Sequence, residues 1–310
     1  MLLPISAIIP TRDRQEVLQR TVVSLSRQSA LPCEVIIVDA SNDETFAPLN
    51  TEDFSDLKSD IRHFRTKQVG AAIQREIGLK HATQEFILFL DDDILFEPDC
   101  IIRLWQCITK DEQTGGVNAM IMNQHYTRPG KISRFMYWLM SGERRDSYAG
   151  MVIGPAWNLL PEPGDHLPEC VPCQWLNTTC TLYRRVALPS PLFDEIFQGY
   201  SLMEDVALSV KVSRKWKLYN ARKAKIYHDS QPGTHKDDLF LVHHMELFNR
   251  YFIMTKVLRR TAPKDYCRLI IYELWSIFNS FRNLDNLRQM HRIICGKISA
   301  IKQIRLYETN

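Results

Sequence analysis

Short apolar segments alternate with segments of helical periodicity over the first hundred residues. The predicted strands have the length of buried strands and end at turn-like residues, and the predicted helices carry apolar residues three or four positions apart. The strands are predicted at 5–9, 34–38 and 86–90, and the helices at 14–28 and 69–81. Strands that alternate with helices of this length predict parallel βαβ units, and hence an α/β fold.

Polar residues follow each of the three predicted strands. Pro10-Thr11-Arg12 follows the first, Asp39 the second and Asp91-Asp92-Asp93 the third. The carboxyl ends of parallel strands meet at one edge of a sheet, where α/β proteins bind their ligands. The sequence therefore predicts a binding site at this edge.

The three adjacent carboxylates after Leu90 point to a metal ion. Two like charges about 4 Å apart repel by roughly 1 kcal/mol in water and more where water is thinned. Hard cations such as Mg²⁺ prefer carboxylate and phosphate oxygens, so a cation that bridges this turn and a nucleotide diphosphate is one interpretation. A solvated acidic turn is the other.

Two common nucleotide-binding motifs are absent. The chain has no Gly-x-Gly-x-x-Gly after the first strand and no Gly-x-x-x-x-Gly-Lys-Ser/Thr. A standard dinucleotide fold and a P-loop are therefore not supported, and a sugar nucleotidyltransferase, which would need a glycine-rich loop here, is a weaker alternative.

Composition adds limits on size and location. The chain has 310 residues, 45% of them hydrophobic, and a formal net charge of +3, which predicts a large folded core. Eight scattered cysteines favour a reducing cytoplasm, with Cys170 and Cys173 as loop thiols rather than half of a zinc site. The N-terminus lacks the basic leader of a signal peptide, and no apolar run reaches the roughly 18 residues of a spanning helix, so membrane contact would be peripheral.

Taken together, these motifs resemble the family 2 nucleotide-sugar glycosyltransferases with the GT-A fold, over about residues 4–230. The resemblance implies a Rossmann-like, mixed and mostly parallel sheet flanked by helices, with a helical C-terminal extension. It implies a catalytic domain at 1–232, with a nucleotide-binding half at 1–100 and an acceptor-binding half at 101–232, and a basic helical extension at 233–310. The motifs that carry it are 6–12, 37–43, 70–78, Asp91-Asp92-Asp93 followed by Pro98, and 203–209.

The resemblance also implies roles for individual residues on the donor side. The nucleotide would be bound by residues of the strand ends and of one helix, and the metal, Mg²⁺ or Mn²⁺, by acids and a histidine. The nucleotide-binding set is Pro10, Thr11, Arg12, Asp39, which would bind the base, Arg75, which would approach the diphosphate, Asp91 and Asp92. The metal-binding set is Asp93, Asp91 and His228.

Two adjacent acids, Glu204 and Asp205, are the predicted catalytic residues. Glu204 and Asp205 precede a helical segment, and Asp205 matches the family's general base, which implies an inverting displacement. Trp175 is predicted to stack on a donor or acceptor sugar, although a core role fits its size equally well. A non-catalytic carbohydrate-binding or scaffold relative remains the second alternative.

The C-terminal segment is amphipathic and basic. Lys and Arg outnumber Asp and Glu by eleven to four between residues 256 and 310. The pattern predicts either peripheral contact with an anionic membrane at its cytoplasmic face, which would suit a lipid-linked saccharide acceptor, or packing on the domain or homo-oligomer formation. Nucleic-acid binding is not expected, since the basic residues lack interleaved aromatics. The apolar positions are Leu287, Met290, Ile294, Ile298 and Ile301, and the basic ones are Arg288, Arg292, Lys297, Lys302 and Arg305.

Overall fold

The computed structural model describes residues 1–46, 49, 52, 57–164, 167–197, 199, 201–231, 238–281 and 287–309. The chain divides into two compact units. The first comprises residues 1–127, 149–151 and 160–231, and the second comprises 128–148, 152–159 and the chain from 232 onward. The boundary predicted at 232 and 233 lies outside the described residues.

The described part of the first unit contains one large sheet and four α-helices. The strands are β1 (Leu2–Thr11), β2 (Leu31–Asp39), β3 (Asp60–Arg65), β4 (Phe86–Leu90), β5 (Ile94–Phe96), β6 (Thr114–Ile121), β9 (Cys170–Pro172), β10 (Cys180–Arg184) and β11 (Lys217–His228). The helices are α1 (Gln15–Ser26), α2 (Ala71–His81), α3 (Cys100–Thr109) and α5 (Glu204–Ser213).

The sheet order is β3, β2, β1, β4, β10, β6, β11 and β5, and β9 also pairs with β11. Six of these nine described strands run in one direction, while β5, β9 and β10 run against them. The predicted mixed, mostly parallel sheet flanked by helices is confirmed.

Helices bury the central strands on both faces. All five residues of β4 are buried, and α1 turns Leu18, Val22 and Leu25 into the core. A Cβ atom on Gly78 of α2 would lie only 2.4 Å from Cγ2 of Ile8, so only glycine lets this helix lie so close to β1. Apolar burial of this kind stabilises a fold by about 25 cal/mol per Å².

The parallel pairing sets the polar strand ends side by side. Thr11, the last residue of β1, is the register partner of Asp39, the last residue of β2. On the other side of β1, strand β4 runs parallel and ends immediately before Asp91. The three polar strand ends predicted to meet therefore lie at one edge of the sheet.

Cys170 corrects one prediction. It lies on β9 and forms a disulfide with Cys107 of α3, with 6.1 Å between the Cα atoms, where the sequence predicts a free loop thiol. The pairing arises because β9 and α3 both contact β11. Cys173 is a free thiol, and burial raises its pKa to about 12.

The second unit is mainly helical in its described part. It contains a two-stranded ladder and four helices, one of which continues as a π-helical turn at Ile253–Val257. Among the described helices, none combines the length and apolar character needed to cross a bilayer. The elements are α4 (Lys131–Ser141), β7 (Val152–Ile153), β8 (Trp157–Asn158), α6 (Leu239–Phe252), α7 (Pro263–Ser280) and α8 (Met290–Thr309).

Helix α8 packs on α6 through a different face from the predicted one. Its buried residues are Ile293, Gly296, Lys297 and Ala300. Gly296 makes this possible, because a Cβ atom there would lie 2.4 Å from the carbonyl oxygen of Phe240. The apolar stripe predicted from the sequence is exposed at Ile294, Ile298 and Ile301. Lys297, which was predicted as one of the exposed basic residues, is instead buried and pairs with Glu273.

Candidate active site

Two acids and a histidine converge just beyond β4. Nε2 of His228 lies 3.0 Å from Oδ1 of Asp93, and one ligand atom from each of Asp91, Asp93 and His228 lies within 4.8 Å of the other two. The β11–β5 ladder brings this about, since His228 ends β11 opposite Ile94, the residue after Asp93. The structure thus assembles the three residues that were predicted as metal ligands.

The donor set fits a Mg²⁺ or Mn²⁺ ion. Carboxylate oxygens suit both metals, and an imidazole nitrogen suits first-row transition ions. Nδ1 of His228 lies 3.2 Å from the amide nitrogen of Gln124, an outer contact that fixes the ring. Burial works to raise the pKa of Asp93, but His228, the backbone N–H of Gln231 and the charge of Arg14 together hold that pKa below its usual value, so the carboxylate is ionised at neutral pH.

Asp92 lies between Asp91 and Asp93 in the sequence, and its carboxylate contacts Thr11 and Arg14. Its carboxylate accepts a 2.7 Å hydrogen bond from the Thr11 hydroxyl and lies 3.3 Å from Nη1 of Arg14. Burial raises its pKa to about 6, with the charge of Asp93 adding to the rise. Asp92 therefore ties the acidic turn to the end of β1, and its predicted contact with the nucleotide stays a prediction.

Arg14 is a site residue that the sequence analysis missed. Its guanidinium lies 3.3 Å from Asp92 and 3.6 Å from Asp93, so it offsets the charge of the acidic turn. Its position two residues after Arg12, in the loop beyond a strand end, was the available signal. Arg12 itself is only partly buried and pairs with Asp13 at 3.2 Å.

Asp39 is buried at the end of β2, and each of its carboxylate oxygens contacts a protein group. Oδ1 accepts a hydrogen bond of 2.7 Å from the backbone N–H of Ser41, and Oδ2 lies 3.1 Å from Nε2 of His63. Burial opposes ionisation, but these bonds outweigh it and lower the pKa of Asp39. His63 lies on β3, a strand that the sequence pattern did not predict, so no signal pointed to it.

Arg75 is almost fully buried on α2 and bridges two acids. Its guanidinium lies 2.5 Å from Asp91 and 3.2 Å from Glu204. Arg75 thereby links the acidic turn after β4 to the start of α5. The structure places it within the site, and its predicted contact with a diphosphate stays untested.

Glu204 and Asp205 open helix α5 with raised pKa values. Burial and the negative charge of Asp205 raise the pKa of Glu204 to about 8, and the positive charge of Arg75 only partly offsets this rise. Burial also raises the pKa of Asp205 to about 6. A carboxylate with this pKa is ionised at pH 7 and still accepts a proton readily, as a general base must.

Trp175 contacts the predicted base. Its side chain is buried, and its indole N–H donates a 2.9 Å hydrogen bond to Oδ2 of Asp205. The N–H of Val206 donates to Oδ1 of the same carboxylate at 2.7 Å. The structure therefore shows Trp175 holding Asp205, while stacking on a sugar stays a prediction.

Residues 6–159 match the family described as Glycosyl transferase family 2. A curated relative, the glucosyl-dolichyl phosphate glucuronosyltransferase of Haloferax volcanii, is 27% identical over 134 residues, which cover 43% of this chain and 42% of the relative. An uncharacterized glycosyltransferase of Haemophilus influenzae is 32% identical over 114 residues, or 37% of this chain and 36% of that protein. The matched part thus spans less than half the length of these relatives.

Two solved structures share the fold. GalNAc-T7, crystallised with UDP, GalNAc and Mn²⁺, aligns with a TM-score of 0.54 over 84% of this chain and 51% of its own, at 17% identity. The mannosyltransferase PcManGT of Pyrobaculum calidifontis, in complex with GDP-Man and Mn²⁺, aligns with a TM-score of 0.53 over 96% of this chain and 75% of its own, at 15% identity. Residues 6–159, about half of the chain, therefore belong to glycosyl transferase family 2, and the chain has the GT-A fold of the two solved structures.

Proposed function

We propose that this protein is an inverting, metal-dependent glycosyltransferase. It moves a sugar from a UDP-, GDP- or dTDP-sugar to a glycan or a lipid-linked saccharide, in bacterial polysaccharide biosynthesis. One observation carries the proposal: three residues that could hold a metal ion, Asp91, Asp93 and His228, lie in one compact unit with Asp205, an acid of raised pKa. Arg75 connects the two groups, since it pairs with Asp91 and with Glu204, the residue before Asp205.

The strand ends would bind the donor nucleotide. Pro10, Thr11 and Arg12 follow β1, and Asp39 ends β2 beside them, so the base and ribose would lie over this edge. Asp92 would hold Thr11 in place through their hydrogen bond. Ligands of α/β sheets bind at this edge in general, which supports the assignment.

Asp91, Asp93 and His228 would hold the Mg²⁺ or Mn²⁺ ion. Such an ion neutralises charge that develops on the departing nucleoside diphosphate. Arg75 adds a fixed positive charge beside Asp91 and keeps Glu204 close to it. Glu204, with its raised pKa, serves as a neutral hydrogen-bonding partner rather than as a second anion.

Asp205 would accept the proton of the acceptor hydroxyl as that oxygen attacks the anomeric carbon. The bond from carbon to the diphosphate oxygen breaks on the opposite face, so the product has the inverted configuration. A positioned base contributes about 10² to 10⁴-fold to such a reaction. Trp175 would keep the carboxylate oriented, since it donates to one of its two oxygens.

The proposed acceptor implies where in the cell the reaction takes place. A lipid-linked saccharide would be glycosylated at the cytoplasmic face of the membrane, and the relative named for its glucosyl-dolichyl phosphate substrate supports an acceptor of this class. We propose that the chain reaches that face by peripheral contact.

The substitution Asp205→Asn tests the proposal. It removes the base at nearly constant volume, so we expect transfer to fall by at least about 10²-fold while Mn²⁺-dependent UDP-sugar binding and the melting temperature are retained. The matched control is Asp43→Asn, at an exposed aspartate paired with Arg65, which should transfer normally.

Three results would contradict the proposal. Unchanged turnover of Asp205→Asn would exclude Asp205 as the general base. Nucleotide binding by the wild-type protein without transfer to any acceptor would favour a non-catalytic carbohydrate-binding relative. Release of pyrophosphate from a nucleoside triphosphate and a sugar phosphate would favour a sugar nucleotidyltransferase.

A further inference from the structure

Helix α7 leaves a row of large apolar side chains in solvent. Ile270, Leu274 and Phe278 are 60%, 62% and 56% exposed, and Tyr266 and Phe281 extend the row at its ends. Residues four positions apart share one face of a helix, so the row runs about 22 Å along the helix. Contiguous exposed apolar surface of this kind marks an interaction site.

The acidic and basic side chains of α7 differ in burial. Both acids are buried: Asp265 accepts a hydrogen bond from the backbone N–H of Ala262, and Glu273 pairs with Lys297 of α8. Lys264 is exposed, whereas the guanidinium of Arg268 donates a 3.1 Å hydrogen bond to the carbonyl oxygen of Leu139 on α4 and lies 4.0 Å from Asp265. The exposed face of α7 is therefore apolar, has the cationic Lys264 at its start and carries no carboxylate.

Helix α4 has the same character. Ile132 and Phe135 are exposed, as are Lys131 and Arg134, and α4 contains no acidic residue. Across the whole second unit, 18 Lys and Arg stand against 9 Asp and Glu, whereas the first unit has 21 against 27. The positive charge of the chain is thus concentrated in the unit that exposes the apolar row.

Two occupants would cover an apolar row, and the charges distinguish them. In a two-fold symmetric dimer the same surface meets itself, so the lysines and arginines beside the row would oppose those of the second copy. An anionic bilayer offers acyl chains to the apolar row and phosphate groups to the basic side chains. The charge pattern favours the bilayer.

We propose that α7 lies in the plane of an anionic membrane surface, with Ile270, Leu274 and Phe278 inserted below the headgroups and Lys264 at the phosphates. The inference rests on the proposed function in one respect, the lipid-linked acceptor that a membrane-bound chain would reach. It adds which surface of the chain contacts the lipid. The sequence pointed to residues 287–305 for this contact, and α8 does expose Ile294, Ile298 and Ile301, but at 42–47% against 56–62% for the three central residues of the α7 row.

Vesicle flotation of the full chain tests the inference. The probes are vesicles of phosphatidylcholine alone and of phosphatidylcholine with 30% phosphatidylglycerol. The test variant is I270S/L274S/F278S, and the matched control is L2S/V186S, which removes exposed apolar side chains from the first unit. Melting temperatures should stay within about 2 °C of wild type, since the replaced side chains are exposed.

We expect the wild type and the control to float with the anionic vesicles, and the test variant to bind them at least tenfold less. High salt should weaken wild-type binding, because the basic side chains are screened. Recovery of the wild type in the soluble fraction with both vesicle types would overturn the inference. So would a wild-type dimer, measured by light scattering, that the test variant abolishes without any vesicle binding.

The outcome is separate from that of the proposed function. Asp205→Asn retains α7 and should float like the wild type whether or not the protein transfers sugar. A chain that floats but never transfers would leave the membrane surface intact and contradict only the proposed reaction.

Discussion

The indole N–H of Trp175 donates a 2.9 Å hydrogen bond to Oδ2 of Asp205. This bond favours the ionised carboxylate, whereas burial disfavours it, and the balance leaves a pKa of about 6. Trp175 therefore bears directly on the protonation of the proposed base. The strength of the base and the pH range in which it works depend on a residue thirty positions away in the sequence.

The first prediction concerns the pH dependence of the wild-type enzyme. Asp205 acts only when it is ionised, so kcat/KM should rise with pH through a midpoint near 6 and then level off. Initial rates of nucleoside diphosphate release between pH 5 and 8, at saturating Mn²⁺, measure this. A rate that is flat between pH 5 and 7 would contradict the assignment.

Trp175→Phe should move that midpoint upward. Loss of a hydrogen bond to a charged group costs about 1.5 kcal/mol, which corresponds to about one pKa unit. The loss destabilises the ionised carboxylate of Asp205 and so raises its pKa. The rate should therefore fall more at pH 6 than at pH 8. Trp105→Phe is the matched control, because Trp105 packs against Phe86 in the core and should leave the midpoint unchanged.

Glu204 makes stability depend on pH. Its pKa in the folded state, about 8, lies above the ordinary value of 4.5, so the folded protein holds this proton more tightly than the unfolded chain. Stability is then greatest below pH 4.5 with respect to this group and is lost as pH rises toward 8.

The substitution Glu204→Gln removes this dependence, because glutamine cannot ionise. Melting temperatures at pH 5 and pH 8 should show a smaller fall for the variant than for the wild type, by at least about 2 °C. Parallel changes in the two proteins would show that Glu204 is already ionised at pH 5.

Metal binding is expected to need both Asp93 and His228. Asp93→Asn and His228→Gln should each lower the affinity for Mn²⁺ at least about tenfold, since each removes one ligand of the set. The electron paramagnetic resonance signal of free Mn²⁺ measures the affinity. Asp43→Asn serves as the control, and equal affinity in all four proteins would exclude the site.

The central strands and their polar ends are predictable because burial on both faces leaves a clear pattern. Strands β1, β2 and β4 contain almost only apolar residues, and each stops at a polar residue of the site. The acids Asp91 and Asp93 were likewise visible, since they follow the strand directly. Their convergence with His228 required the pairing of β11 with β5, which no local pattern encodes.

Strands β3 and β6 were missed for physical reasons. In β3, four of six residues are Asp, Arg or His, and its register with β2 brings Arg62 to the buried Glu34 and His63 to Asp39. In β6, a Cβ atom on Gly115 would lie 2.4 Å from Cβ of Trp216, and one on Gly116 would lie 2.6 Å from Cδ1 of Leu176. Close packing with distant segments requires glycine at both positions. Glycine lowers the strand propensity of a sequence, so the pattern did not predict a strand here.

The ladder between β5 and β11 has a consequence for biosynthesis. His228 reaches Asp93 only after β11 has added to the sheet, so a nascent chain that has not yet emerged from the ribosome past this histidine lacks the third ligand. The proposed metal ion would then be bound late, after most of the first unit has been translated. Premature termination before this point should yield a product unable to retain manganese.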